Sequence, residues 1–380
     1  MTKTSLLCLA LLGCAVSSPP PSTPLMVYPN EYIVENSTMI PSRIGVKSLS
    51  ISFSLLNLKS LPTSSQPVQY DPEKDACLTD PVLKRKSCSP NYLVRTEMLP
   101  NDPLYGRQWA LGRIDARKAW NKSSGTGILI GVLDTGIAQH PDIKAPQCFN
   151  AITNTPGNCE DGNGHGTHVA GTIGASSRNH VGVAGLSYNS ELLVLKFLND
   201  SGTGSLFHAI RGIDYAAAKG VKVINGSFGG GGYSEPFFQA IKRHPNILFV
   251  FAAGNEGVNN ATYPHYPSDY KLPNVINVAS INKYGHLSPF SNYGRDAVDI
   301  AAPGQEILSL GKSSDYISLS GTSMAAPHVT GAVALRLAAF PSETILDAKK
   351  ALLKSAKRTP SLKNKLRTGE LSAADALNFN

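Results

Sequence analysis

From about residue 128 onward, nearly unbroken apolar runs alternate with segments of helical periodicity. That alternation constrains the fold more than any other feature of the chain. The runs 128–133, 192–198, 221–224, 247–252 and 275–279 are rich in Val, Ile and Leu, as strands buried on both faces are. Between them, residues 205–218 and 234–243 have the spacing of helices, and Gly220 just past the first is placed to cap it. Such alternation predicts an α/β fold: a doubly wound, mostly parallel sheet with helices on both faces, hence three layers. In such sheets functional groups gather beyond the carboxyl ends of the strands. Asp134 and Asn255 stand at two of those ends.

Four stretches carry candidate chemistry. The run 128–133 ends in Asp134. A Gly-rich turn, Asp161-Gly162-Asn163-Gly164-His165-Gly166, leads His165 into a helix. A strand ending Ala252-Ala253-Gly254 is followed by Asn255. Gly321-Thr322-Ser323 opens a long small-residue and apolar segment. In the first turn of a helix, unpaired N–H groups and the dipole favour negative charge, so a serine there can attack a carbonyl while N–H groups receive the oxyanion. A serine at that place is also an ordinary helix start. Asp, His and Ser together can form a nucleophilic triad, and an Asn amide can serve the oxyanion. Gly164 and Gly166 clear side chains from around His165, leaving room for substrate. His165 and His168 lack the H-E-x-x-H pattern of a helical zinc site, and zinc is not expected there; His168 reads as a buried helix residue.

These blocks, in this order over about residues 100–380, resemble the subtilases, the subtilisin-like serine proteases. The resemblance implies a serine endopeptidase in which Ser323 is the nucleophile, His165 the base and Asp134 its partner. Asn255, the Ser323 N–H and Thr322 would be the oxyanion donors. Polypeptide substrates would pair as an added strand with Ser227, Phe228 and Gly229, which form one wall of the primary pocket; Ala252, Ala253 and Gly254 form the other. Gly226 departs from the family, which usually has a large apolar residue there. It reads either as a replacement in a packed position or as a changed pocket floor. Asp102, Asp142, Asn179 and the carbonyls of Val181 and Val183 match the family's calcium ligands, an oxygen set that suits the ion, although the 178–183 stretch also reads as an ordinary surface turn. A catalytically silent homologue acting as a binding protein is the alternative function.

The 380 residues, 42% apolar, suffice for one large core or two modest domains. Lys3 followed by an apolar stretch at 5–16 reads as a signal peptide over residues 1–18, too short to span a bilayer. Secretion is the expectation. Leu11-Leu12-Gly13-Cys14 also resembles a lipobox, which would anchor the protein to a membrane through Cys14. Residues 25–98 are expected to form a small α+β pro-domain that aids folding and then inhibits. Residues 99–380 would be the peptidase domain, with processing between about Arg95 and Pro100; Lys84-Arg85-Lys86 offers a rival site. The net charge of +8 is dispersed, so no nucleic-acid surface is expected, and the protein should be a monomer. Beyond Cys8 and Cys14 stand four cysteines, which allow three pairings. Cys77–Cys88 with Cys148–Cys159 closes the shortest loops, and an exported protein meets an oxidising compartment; free thiols are the alternative.

Overall fold

The computed structural model describes residues 100–379 and, ahead of them, five strands between Met26 and Tyr92. The chain divides into two compact units, Met1–Thr96 and Glu97–Asn380. In the first, β1 (Met26–Glu35) pairs antiparallel with β3 (Phe53–Leu58), β4 (Val68–Gln69) and β5 (Cys88–Tyr92), and β2 (Ile44–Ser48) pairs with β3. The signal segment, Cys14, the Cys77–Cys88 pairing and the helical part of an α+β pro-domain fall outside the described residues.

The second unit is built on an eight-stranded sheet. Its strands are β6 (Leu129–Asp134), β7 (Gln147–Asn150), β8 (Thr155–Pro156), β9 (Glu191–Lys196), β10 (Val223–Gly226), β11 (Leu248–Ala252), β12 (Val275–Ile281) and β13 (Ile300–Pro303). Their order is β13-β12-β11-β10-β6-β9-β7-β8, with every neighbouring pair parallel except β7–β8. The five apolar runs are strands, with ends shifted by a residue or two. The short strands β7, β8 and β13 carry too little pattern to announce themselves.

Eight helices follow in the described residues: α1 (Trp109–Arg113), α2 (Ala116–Trp120), α3 (His165–Gly174), α4 (Leu206–Ala218), α5 (Glu235–Lys242), α6 (Thr322–Ala339), α7 (Ile345–Lys354) and α8 (Ala373–Asn378). Ser205 and Ser234 cap α4 and α5, accepting from His208 N–H and Phe237 N–H. The period-2 pleat sorts strand residues between two cores. Ile130, Val132, Val223 and Val250 pack with α3, α6, α7 and α8 on one face. Leu133, Leu195, Ile224, Phe249 and Phe251 pack with α4 and α5 on the other. These are the three expected layers. α6 is apolar nearly all round because it lies buried against β10 to β13. From β6 the chain first builds β7–β9 to one side and then crosses to β10 on the other. The crevice beyond the carboxyl ends of β6 and β10 is thus the switch point of the sheet, where such folds bind ligands. A separate hairpin, β14 (Ile307–Leu310) with β15 (Tyr316–Leu319), packs against α3.

Candidate active site

β6 delivers Asp134, fully buried, to the switch point. Its Oδ1 accepts from the Thr135 N–H and from His165 Nδ1, each at 2.7 Å. A carboxylate can only accept, so Nδ1 carries a proton, and in the neutral ring Nε2 keeps its lone pair. Burial of the His165 ring works against its charged form. The Asp134 charge, their hydrogen bond and the more distant Asp161 outweigh burial and hold the imidazole above its ordinary range.

Three residues that the sequence did not single out place this pair. Thr135 Oγ1 accepts from the Gly166 N–H at 2.8 Å, tying the start of α3 to the end of β6. Asp161 accepts from Gly164 N–H, Thr167 N–H and the Thr167 hydroxyl, anchoring the turn before the helix. Buried Lys196 donates to the Thr135 carbonyl at 2.6 Å. Asp161 alone had a sequence signal, an acidic residue ahead of a helix start. Gly166 proves to be a packing requirement: a Cβ there would lie 2.5 Å from the Gly136 carbonyl oxygen.

Ser323 stands in the first turn of α6, partly exposed. Its hydroxyl donates to the Ser227 carbonyl at 3.2 Å, and the Ser227 hydroxyl donates to the Ser323 carbonyl at 2.8 Å. Among the described residues no hydrogen bond joins Ser323 to His165, a contact that often tightens only when substrate is bound. Asn255 follows β11 and is exposed. Its Oδ1 accepts from the Thr322 N–H at 2.8 Å and the Thr322 hydroxyl at 3.0 Å. Those two donors fix which way the amide faces and leave Nδ2 free to donate. Thr322, expected to face the oxyanion itself, turns its donors to Asn255 and the Gly254 carbonyl instead; its geometry suits it to hold the amide. The Ser323 N–H, in the first turn, has no partner within the helix.

Ser227, Phe228 and Gly229 follow β10; Ala252 ends β11, the strand beside it, and Ala253 and Gly254 come just after. Gly226 is backed by the Phe251 ring, which lies 2.4 Å from where a Cβ would stand. That contact fits the packed-position reading of the departure. Beyond Phe228 opens a cleft of about 340 Å³ whose lining includes Phe197, Leu206, Tyr266 and Gly229 to Gly232.

His168 is fully buried, its Nε2 set against the carbonyls of Ile307 (2.9 Å) and Ile317 (3.2 Å). Asp102 and Asp142 are buried around one loop. Asp102 accepts from Ser177 Oγ and the Arg178 N–H; Asp142 accepts from Asn179 Nδ2 at 2.7 Å and the Val183 N–H at 2.8 Å. Burial pushes the Asp142 carboxyl up, and the charge of Asp102 adds to this. Among the described residues no cluster of three or more His, Cys, Asp or Glu side chains could hold a metal ion. No helix among them is long and apolar enough to cross a membrane. Cys148 and Cys159 form a disulfide between β7 and the turn ahead of His165.

The model of the Subtilase family matches residues 125–372. Thermitase of Thermoactinomyces vulgaris is 41% identical over 244 residues, 62% of this chain and 84% of that protein. A thermostable alkaline protease of Halalkalibacterium halodurans is 39% identical over 239 residues, 62% of this chain and 64% of its own length. Among solved structures, a protease of Pseudoalteromonas arctica superposes with a TM-score of 0.67 at 30% identity, covering 74% of this chain and 99% of that one.

Proposed function

This chain belongs to the subtilase family, and from that premise we propose that it is a serine endopeptidase with Asp134, His165 and Ser323 as its triad. The observation that carries the assignment is the Asp134–His165 hydrogen bond at the switch point, with Ser323 and the free Asn255 amide nitrogen at the start of α6. His165 Nε2 takes the proton from Ser323 Oγ as that oxygen bonds to the scissile carbonyl carbon. Asp134 holds Nδ1–H and stabilises the imidazolium. The oxyanion takes hydrogen bonds from Asn255 Nδ2 and the Ser323 N–H. His165 then hands the proton to the leaving amine, and water repeats the sequence on the acyl-enzyme. A peptide pairing with residues 227–229 competes for the Ser227 carbonyl, which releases the Ser323 hydroxyl to His165.

The protein is made as a pre-pro-form: residues 1–18 direct secretion, residues 25–98 assist folding and inhibit, and the enzyme removes the pro-domain itself. Expression of Ser323→Ala beside the wild type tests this. The variant should cleave no peptide and keep its full pro-form length. Trimming of the variant to the wild-type size would overturn self-processing, and mass analysis of the N-terminus of the variant's pro-form reports whether Cys14 is retained and lipidated.

Calcium is a further part of the proposal. Asp102, Asp142, Asn179 and the carbonyls of Val181 and Val183 would hold it, and a cation there would relieve two buried carboxylates that face one loop. Its role would be to brace that loop. A chelator should lower the Tm, calcium should restore it, and Asp142→Asn should abolish both effects; a Tm indifferent to the chelator would refute the site.

A further inference from the structure

The basic residues, largely dispersed elsewhere, crowd together near the end of the chain. Residues 349–367 hold eight of its 35 Lys and Arg and no Asp or Glu. Four of the eight are engaged within the fold. Lys349 donates to the carbonyls of Pro273 and Val275, and Lys357 pairs with Asp115. Lys365 lies over the Tyr293 ring at 4.0 Å, and Arg367 pairs with Asp299 at 2.7 Å. Lys350 and Lys354 stand on α7, where the second suits the carboxyl end of the helix. Arg358 and Lys363 have no such task. Both line a cleft of about 580 Å³, together with Arg367 and with Arg295 from the segment ahead of β13. We infer that this cleft is an anion site for a small molecule carrying a diphosphate group.

Charge selects the ligand. Among the described residues no Asp or Glu lines the cleft. The side chains of Arg295, Arg358 and Lys363 are exposed and, among the described residues, make no hydrogen bond or ion pair. Asp299 already balances Arg367, so three of the four cations in the lining are uncompensated. A diphosphate, at about 1.5–2 negative charges per phosphate near neutral pH, supplies the matching number. Guanidinium forks meet phosphate oxygens in pairs. A concave cleft of this size suits a small molecule better than a flat polymer or membrane surface.

The fold holds the cleft open in advance. Leu362 and Leu366, in its lining, are buried with Ile281, Ala297 and Val298. The Arg367 N–H donates to the Val298 carbonyl at 2.9 Å, the Gly294 N–H to the Lys365 carbonyl at 2.7 Å, and Ser361 Oγ to the Gly285 carbonyl at 2.9 Å. The loop that presents the cations is therefore pinned, and little ordering opposes binding. Its apolar floor strengthens the electrostatics above it. The cleft lies at the amino end of β13, whereas Asp134 stands at the carboxyl end of β6 in the same run of parallel strands. A ligand here leaves the candidate triad uncovered, and the inference does not depend on the peptidase reading.

The test is calorimetric titration of inorganic diphosphate into the full chain carrying Ser323→Ala, in low-salt buffer without added calcium. One saturable site is expected. Arg295→Gln and Arg358→Gln should each weaken it by about tenfold or more, the effect of losing one charge-assisted partner. Arg358→Gln combined with Lys363→Gln should remove it. These side chains are exposed, so the variants should keep the parent Tm. Lys219→Gln, which takes one exposed charge from the end of α4, should leave the affinity unchanged. No saturable binding, full affinity in the double variant, an equal loss in Lys219→Gln, or an equal affinity for sulfate would overturn the site. Phosphatidylcholine vesicles containing phosphatidic acid form a second arm. Binding to these without binding of free diphosphate would assign the cations to a membrane surface and overturn the inference as well.

Discussion

Gly226 and Phe251 face each other in register across β10 and β11, and their exchange should show strong thermodynamic coupling. A Cβ on Gly226 would meet Phe251 Cε1 at 2.4 Å, Cδ1 at 2.5 Å and Phe228 Cε1 at 3.1 Å. The Phe251 ring has no room to retreat. It is fully buried, with the Phe249 and Phe228 rings each 6.0 Å away between centroids. Gly226→Leu therefore overpacks the site, at about 3 kcal/mol, the upper end of such penalties. Phe251→Ala empties it, at about 3–5 kcal/mol. Independent effects would sum to about 6–8 kcal/mol by the same principles. The double variant moves apolar bulk from one strand to its neighbour and nearly conserves volume, so it should recover about 2–3 kcal/mol of that sum. Guanidinium unfolding in a Ser323→Ala background, which avoids self-digestion, measures all four corners of the cycle. Additivity within about 0.5 kcal/mol would mean that the two sites do not share the space, and the packing argument would fail.

Three other outcomes follow from the same geometry. The proposed base His165 must be neutral to act, and it is held above the ordinary imidazole range, so the acidic limb of kcat/KM should lie above pH ~6.5. Asp134→Asn should cut kcat by about 10⁴ and move that limb to lower pH; an unmoved limb would show that another group titrates. His168 and His328 are buried and pulled down to about 4 by burial. Between pH ~6.5 and ~4 the unfolded chain binds protons that the folded one refuses, so stability should fall as pH drops through that window, by at most ~3 kcal/mol per histidine; a flat Tm there would contradict the assignment. Reduction of Cys148–Cys159, separated by 11 residues, should cost about 3 kcal/mol in the loop-entropy model. Thermal unfolding with and without reductant reads this directly, and an unchanged Tm would deny the bridge a stabilising role.

The parts of the fold legible in the sequence are those with a long or repeated signal. β6 and β9 to β12 are continuous apolar runs because helices cover both faces of the sheet. Ser205 and Ser234 announce helix starts through capping chemistry that is local. β7, β8 and β13 stayed hidden because each spans only two to four residues, too few for a period to show. The candidate catalytic residues stood out because their types are few and their surroundings are Gly-rich. The supporting contacts did not. Thr135 to Gly166, Thr322 to Asn255 and Lys196 to Thr135 join residues 31 to 67 positions apart, and nothing local signals them. The contacts around the glycines are the clearest case. The departure visible in the sequence was Gly226, yet its space is filled by Phe251, while His265 reaches Gly229 and Gly254 only once the chain is folded.

Peptide mapping of the protein after reaction with a fluorophosphonate probes the central assignment most directly. The account predicts one adduct per molecule, on Ser323, absent in Ser323→Ala and strongly slowed in His165→Ala, because the hydroxyl needs the Nε2 lone pair that Asp134 orients. An adduct on any other serine, or peptide hydrolysis that persists in the Ser323→Ala protein, would contradict it.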